Sequence, residues 1–244
     1  MSRTPVLPDG WTLVAFDSVG STNDEARRLA EAGAAEGTFV WARKQTDGRG
    51  RRGRRWISPV GNLYCSIVLR PACVAARAAE LGFAAALSVA DLVPPRRDLR
   101  LKWPNDVLVD GGKIGGILPE TSIGENGLVD YVVLGIGVNV ALAPELPEMR
   151  YPGAKLGGSV EKAAERLTAA LARWLARWRR EGFEEIRRCW LDKAGPHGAE
   201  VDVRLGEELV HGRFAGMDGE GALLLETSDG RRRIVSGELL GRAA

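Results

Sequence analysis

Apolar and polar positions change period several times along the chain, and each change marks an element. The run WTLVAF at 11–16 predicts a strand, and 38–43 predicts a second. Between them, Ser21-Thr22 with Glu25 three residues beyond Thr22 has the signature of a capping box, predicting a helix over about 23–32 that stops at Gly33. NLYCSIVL at 62–69 reads as a strand, and the Ala-rich stretch 74–92 as a helix ended by Pro94-Pro95. LKWPNDVLV, a turn at Asp110-Gly111-Gly112 and KIGGILPE together predict a hairpin. The most apolar run, VDYVVLGIGVNV at 129–140, belongs at the centre of a sheet. Helical spacing returns over 159–192, where Leu167, Leu171, Trp174, Leu175 and Trp178 share one face and place the tryptophans in the core.

At Ala194-Gly195-Pro196 the texture shifts to short strands, at 200–205, 208–215, 221–227 and 231–236, between Gly-rich turns. Such spacing predicts a small barrel packed on the main domain. The fold class is therefore α+β: a mixed β-sheet flanked by helices over 1–193, followed by a small β-domain over 194–244.

A chain of 244 residues can bury a sizeable core. No apolar run approaches the ~20 residues that cross a bilayer, and the N-terminus lacks the apolar centre of a signal peptide, so no membrane is expected and the default location is cytoplasmic. The cysteines, Cys65, Cys73 and Cys189, are odd in number and form no CxxC pair, which fits buried thiols in a reducing compartment. With His197 and His211 as the sole histidines, neither a His/Cys-built metal site nor a Ser-His-Asp triad is expected.

Charge sharpens this picture. Arg43, Lys44, Arg49, Arg51, Arg52, Arg54 and Arg55 face Asp47 alone, so this segment carries +6 in a chain whose net charge is +2. A concentrated cationic loop suits one anionic ligand better than a broad nucleic-acid surface. Within it, Gly48-Arg49-Gly50-Arg51-Arg52-Gly53 spells GxGxxG. A dinucleotide site needs a helix to begin there, and Arg54-Arg55-Trp56-Ile57-Ser58-Pro59 is a poor helix start. Two readings stay open: an Arg/Gly segment gripping nucleic acid, and a phosphate-handling loop whose guanidiniums neutralise a ligand that its glycines let approach. The second is what adenylation requires, because a carboxylate attacking the α-phosphate of ATP brings two anions together. Lys102-Trp103-Pro104-Asn105-Asp106, followed by Lys113-Ile114-Gly115-Gly116-Ile117, supplies another half to such a site. Pro104 marks a strand end or edge and turns Asn105 and Asp106 toward a cleft.

The motifs occur in a fixed order: S-T-N at 21–23, Q-T-x-G-R-G-R-x-G at 45–53 with W-x-S-P at 56–59, N-L-Y at 62–64, K-W-P-N-D at 102–106, K-x-x-G-I-L at 113–118 and G-I-G-x-N-V at 135–140. In this order the chain resembles the biotin protein ligase family. The resemblance implies that family's fold, with an SH3-like C-terminal β-barrel, and its reaction: biotin is activated by ATP as biotinyl-AMP and joined to a lysine of a biotin carboxyl carrier protein domain. It implies ATP and Mg²⁺ as co-reactants. It further implies that Ser21, Thr22 and Gln45 contact the ureido ring and that Gly48, in the loop beside them, also binds biotin. Arg49 and Arg51 would hold the biotin carboxylate and adenylate phosphate. Lys113 would reach both groups, and Gly115 and Gly116 would let the backbone close over the bicyclic ring. Asp106 would orient the incoming lysine or a magnesium ion, with the choice open. Asn105, Asn139 and Trp56 fall on the nucleotide side, Trp56 by packing on the closed loop, and Lys113, Arg51 and Asp106 form the catalytic set. The loop 44–59 is expected to be mobile when empty and to close over the adenylate.

Some members of the family carry a DNA-binding helix-turn-helix domain. Here the motifs begin near residue 21, which predicts a monofunctional form without operator binding. Residues 141–158 are expected to cover the adenine. A lipoate-protein ligase of the same fold is the alternative enzyme, and the family admits both monomers and homodimers.

Overall fold

The structure, a computed structural model, describes residues 4–144 and 151–241. A seven-stranded sheet is built from β1 (Thr12–Val19), β2 (Thr38–Gln45), β3 (Leu63–Leu69), β4 (Leu99–Lys102), β5 (Asp106–Val109), β6 (Gly112–Ile123) and β7 (Val129–Val138). Its order is β1-β2-β3-β7-β6-β5-β4, so the most apolar strand is indeed central. β1 and β2 are parallel and every other neighbouring pair is antiparallel, which makes the sheet mixed. Alternation divides the two faces. Cys65, Ile67, Val132, Leu134 and Ile136 point into the large core, where α2 (Ala75–Ala78), α3 (Glu80–Ala90), α4 (Val160–Glu181) and α5 (Phe183–Leu191) pack. Val40, Val68, Tyr131 and Val133 point to the other face, against Ala26 and Ala30 of α1 (Thr22–Glu31).

Four expectations require correction. LKWPNDVLV is two strands, β4 and β5, joined by a turn whose Trp103-Pro104 peptide is cis, so the hairpin becomes a three-stranded meander. The helix over 159–192 breaks at Gly182, whose φ of 77° lies in the left-handed region that favours glycine. The tryptophans of that face part company. Trp178 is buried and donates its indole N–H to Glu80, while Trp174 is only partly covered and donates to Asp91 at 2.9 Å. The capping box does not form: Ser21 is the N-cap, but its side chain caps nothing, and Thr22 is already helical.

Five further strands, β8 (Glu200–Leu205), β9 (Glu208–Met217), β10 (Leu223–Thr227), β11 (Gly230–Ile234) and β12 (Glu238–Gly241), form an antiparallel sheet ordered β11-β10-β9-β8-β12. It is stitched to the larger sheet. The Trp103 indole N–H donates to Gly221 O at 3.0 Å and Arg187 of α5 donates to Met217 O at 2.8 Å, while the segment that leads into the second sheet is held to β4 by the Leu101 N–H, which donates to Lys193 O at 2.8 Å. Phe214, Met217 and Leu225 join the same apolar core as the helices. No helix among the described residues is long and apolar enough to cross a membrane.

Leu167 of α4 is fully buried in that core. Leu167→Ala is expected to destabilise the protein by about 2–5 kcal/mol, as large-to-small core changes do, read as a lower midpoint in urea with an unchanged slope.

Candidate active site

The face of the sheet that carries α1 is not covered along its whole length. On β7, the residues facing this side run Tyr131, Val133, Gly135, Gly137, so the surface drops from side chains to bare backbone. A Cβ on Gly135 would run into the Asn23 amide, and one on Gly137 would lie 2.6 Å from Trp56 Nε1. Gly116 of β6 continues the strip, with Trp56 Cζ3 and Lys113 Nζ at 3.6 and 3.5 Å from the place of its missing Cβ. Above this floor lies a cleft of about 260 Å³.

One end of the cleft is made of hydroxyls and amides. Gln45 Oε1 accepts from the backbone N–H of Thr22 at 2.8 Å and from its hydroxyl at 3.1 Å, and Gln45 Nε2 donates to Ser58 Oγ at 3.0 Å. The Ser66 hydroxyl lies 2.8 Å from Thr22 Oγ1 and 2.6 Å from Asn23 Oδ1, and Asn23 Nδ2 donates to Leu118 O at 3.3 Å. Ser21 is buried beside them, and its side chain does not cap α1. Buried polar groups cost free energy unless paired, so this end is suited to a ligand with both donors and acceptors. The Cys65 thiol points away from this end, into the core on the other face of the sheet, where burial pushes its pKa up.

The other end is cationic. Lys113 Nζ lies 2.6 Å from Asp106 Oδ1, and Lys102 Nζ lies 3.5 Å from Asp106 Oδ2. Burial acts to raise the Asp106 pKa, but the two ammonium groups outweigh it and hold the carboxyl below its ordinary range. Arg51 shares this end. Burial and then the neighbouring Arg52 lower its pKa, with Asp106 opposing them. Its Nη1 donates to Gly237 O at 3.4 Å, while Arg54 pairs with Glu238 at 2.7 Å, so the second sheet closes one wall. Arg49 sits apart, in a two-pronged pair with Asp24 of α1 at 2.9 and 2.6 Å; that hydrogen bonding raises its pKa. The Gly-rich loop opens no dinucleotide helix: it contains a single 3-10 turn, Arg51–Gly53, in which Arg52 has φ of 57°.

Of the predicted residues, Ser21, Thr22, Gln45, Arg49, Arg51, Trp56, Asn105, Asp106, Lys113, Gly116 and Asn139 all line the cleft. Gly48 and Gly115 do not. Gly48 is pressed against Trp56 O and Ser58 Oγ, where no side chain fits, and the Cβ direction of Gly115 points toward Val89 of α3 and Gly137 O. Asn105 and Asn139 spend amide hydrogens on the protein, at Ile117 O and Lys113 O. Within 141–158, Pro144 and Tyr151 line the cleft, and 145–150 fall outside the described residues. Sequence reasoning passed over Asn23, Ser66, Lys102, Tyr151 and Glu238. A serine inside the apolar run of β3 and the lysine that opens K-W-P-N-D were the available signals.

A mixed sheet with a bare glycine floor, a polar pocket leading to a cationic end and a second sheet as a wall define a ligase that activates a carboxylic acid. The chain belongs to the biotin/lipoate A/B protein ligase family, whose model matches residues 15–139. A second model, the biotin protein ligase C terminal domain, matches residues 197–239. Among curated relatives, a biotin–[acetyl-CoA-carboxylase] ligase of Paracoccus denitrificans is 42% identical, over 90% of this chain and 96% of its own length. The bifunctional ligase/repressor BirA of Bacillus subtilis is 34% identical, over 97% of this chain and 75% of its own. Among solved structures, the biotin protein ligase from Aquifex aeolicus in complex with biotin and ATP superposes with a TM-score of 0.78. It is 30% identical, covering 95% of this chain and 99% of the other.

The cationic end depends on a buried amide. Asn62 Oδ1 accepts from three backbone N–H groups, those of Val140, Ala141 and Leu142, at 2.9, 3.1 and 3.0 Å, where the chain leaves β7 beside Asn139. Asn62→Leu strands all three donors and is expected to cost at least about 3 kcal/mol, measured by chemical denaturation.

Proposed function

We propose that this protein is an ATP-dependent biotin protein ligase that forms biotinyl-5'-AMP and transfers the biotinyl group to a lysine of a biotin carboxyl carrier protein domain. The observation that carries the reading is one cleft with a hydroxyl-and-amide end fitted to a cyclic urea and a lysine-arginine end fitted to a carboxylate meeting a phosphate. In the first step a biotin carboxylate oxygen bonds to the α-phosphorus and pyrophosphate leaves. Lys113 and Arg51 stabilise the gathered negative charge. In the second, the acceptor ε-amine bonds to the acyl carbon, AMP leaves and the amine proton passes to solvent.

Ser21, Thr22 and Gln45 are assigned to the ureido ring, with Asn23 and Ser66 supporting them. Gly48 and Gly115 shape the walls rather than touch the ring. Gly116 and Trp56 bound the ligand's flat faces, and Asn105 and Asn139 hold the nucleotide side in shape. Mg²⁺ enters with ATP as part of the substrate; Asp106, with both oxygens facing ammonium groups, is a poor ligand for it. We place the break between catalytic and C-terminal units at 193/194, and the protein in the cytoplasm, where ATP is supplied and free thiols such as those of Cys65, Cys73 and Cys189 persist.

The lipoate alternative is disfavoured because a dithiolane offers no partners to the Thr22–Gln45–Ser66 end. The nucleic-acid alternative is disfavoured because Arg49 and Arg54 are spent on Asp24 and Glu238.

Incubated with ATP, Mg²⁺ and biotin, the protein should attach biotin to a carrier domain at its acceptor lysine and leave a lysine-to-arginine acceptor unlabelled; equal labelling of both would contradict the reading. Arg51→Gly should release free biotinyl-AMP about tenfold faster or more, the scale of one lost charge-assisted contact, as read by rapid filtration.

A further inference from the structure

A second buried lysine needs explaining. Lys113 alone would neutralise Asp106, yet Lys102 is also there, 7% exposed, at the end of β4. Lys102 and Asp106 are cross-strand partners that close the Trp103–Asn105 turn, and Asp106 is in turn paired with Gly116 on the floor of the cleft. The Lys102 ammonium lies 4.4 Å above the centre of the Tyr151 ring. A buried ammonium is costly unless it is paired. Here the pairing is lopsided: two lysines share one carboxylate, each taking a separate oxygen.

The two lysines differ in what surrounds them. The Lys113 side chain is 21% exposed, lies 5.3 Å from the Trp56 ring centre and faces the open cleft. Lys102, at 8%, is enclosed by the turn and Tyr151. A ligand that brought a carboxylate and a phosphate to the cleft would compete with Asp106 for Lys113. Without Lys102, the loss of Lys113 to the ligand would leave the buried carboxylate with no ammonium paired to it, and only the Arg51 charge nearby. With Lys102 on Oδ2, Asp106 stays ionised and fixed while Oδ1 becomes free.

We propose that Lys102 is a positioning residue that anchors Asp106 through Oδ2, so that Lys113 can move to the ligand and Oδ1 can receive the amine of the acceptor lysine. The proposal rests on the ligase reading above and assigns Lys102 a task which that reading leaves empty. The charged groups facing Asp106 are Lys102 from β4, Lys113 from β6 and Arg51 from the loop. Glu238 of β12 is close enough to Lys102 to feel its charge.

A residue that acts through Asp106 must lose its effect when Asp106 can no longer hold a charge. The test is a double-mutant cycle of Lys102→Met and Asp106→Asn in the full chain, read as single-turnover transfer from preformed biotinyl-AMP to a carrier domain. Each single change is expected to slow transfer roughly tenfold or more, and the double variant to be no slower than Asp106→Asn alone. Lys102→Arg should restore most of the rate, and Lys102→Met should move the acid-side break of the transfer rate to higher pH, because Asp106 then keeps one ammonium fewer. Thermal unfolding of each variant separates loss of fold from loss of positioning, with Lys102→Arg carrying the test if the methionine variant unfolds. Multiplying effects, an unmoved pH break, or a Lys102→Arg variant as slow as a neutral substitution would overturn the proposal while leaving the ligase reading intact. A lack of any biotin-dependent adenylation by the unsubstituted protein would overturn both.

Discussion

The site exists because one stretch of sheet has no side chains. Gly135, Gly137 and Gly116 sit where the α1-bearing face would otherwise be carpeted by residues of the size of Tyr131 and Val133. Their absence lets two elements lie directly on the backbone: the start of α1, through Asn23, and the cationic loop, through Trp56. Everything polar at one end follows from the first contact, since Asn23 brings Ser66, Thr22 and Gln45 into one hydrogen-bonded group. The second contact puts Trp56 next to Gly116 and Lys113, at the passage from the polar end to the cationic one. Fill the strip, and both elements must lift away.

Electrostatics divides the labour among the cations. Arg49 is spent on Asp24 and Arg54 on Glu238, so these two arginines fasten the loop to α1 and to the second sheet. Arg51, Lys102 and Lys113 gather around the single carboxylate of Asp106, leaving net positive charge where a carboxylate and a phosphate have to meet. The strength of that field comes from burial, because opposite charges attract more strongly away from water. The second sheet contributes by covering: Gly237 and Glu238 reach the loop, and Gly221 takes the indole N–H of Trp103, the residue before the turn that presents Asn105 and Asp106.

Strong local periodicity made much of this legible beforehand. The continuous apolar run of β7 announced a central strand, and the change of texture at 194–196 announced the second sheet. The chemistry-bearing motifs were legible because glycine, arginine and lysine at fixed spacings have few other uses. What escaped was set by tertiary contact. Thr22 has the residue type of a helix cap, but its hydroxyl is claimed by Gln45, which is 23 residues away. The K-W-P-N-D stretch has the apolar content of one strand, yet it turns between Lys102 and Asp106 to pair with itself. The faces of Gly115 and Gly116 depend on the irregularity between β5 and β6, which spacing within β6 alone does not reveal. Ser66 lies within the apolar run of β3, and only the fold shows it to be a hub of the polar end.

The central claim is that this cleft selects an acid bearing a cyclic urea and activates it as an adenylate. ATP–pyrophosphate exchange by the purified protein with Mg²⁺, in the presence of biotin, lipoate or no acid, tests it most directly. Exchange that requires biotin and is absent with lipoate is the predicted result. Exchange supported by lipoate and not by biotin would contradict the assignment of the Thr22–Gln45–Ser66 end, and exchange with neither acid would contradict the activation chemistry itself.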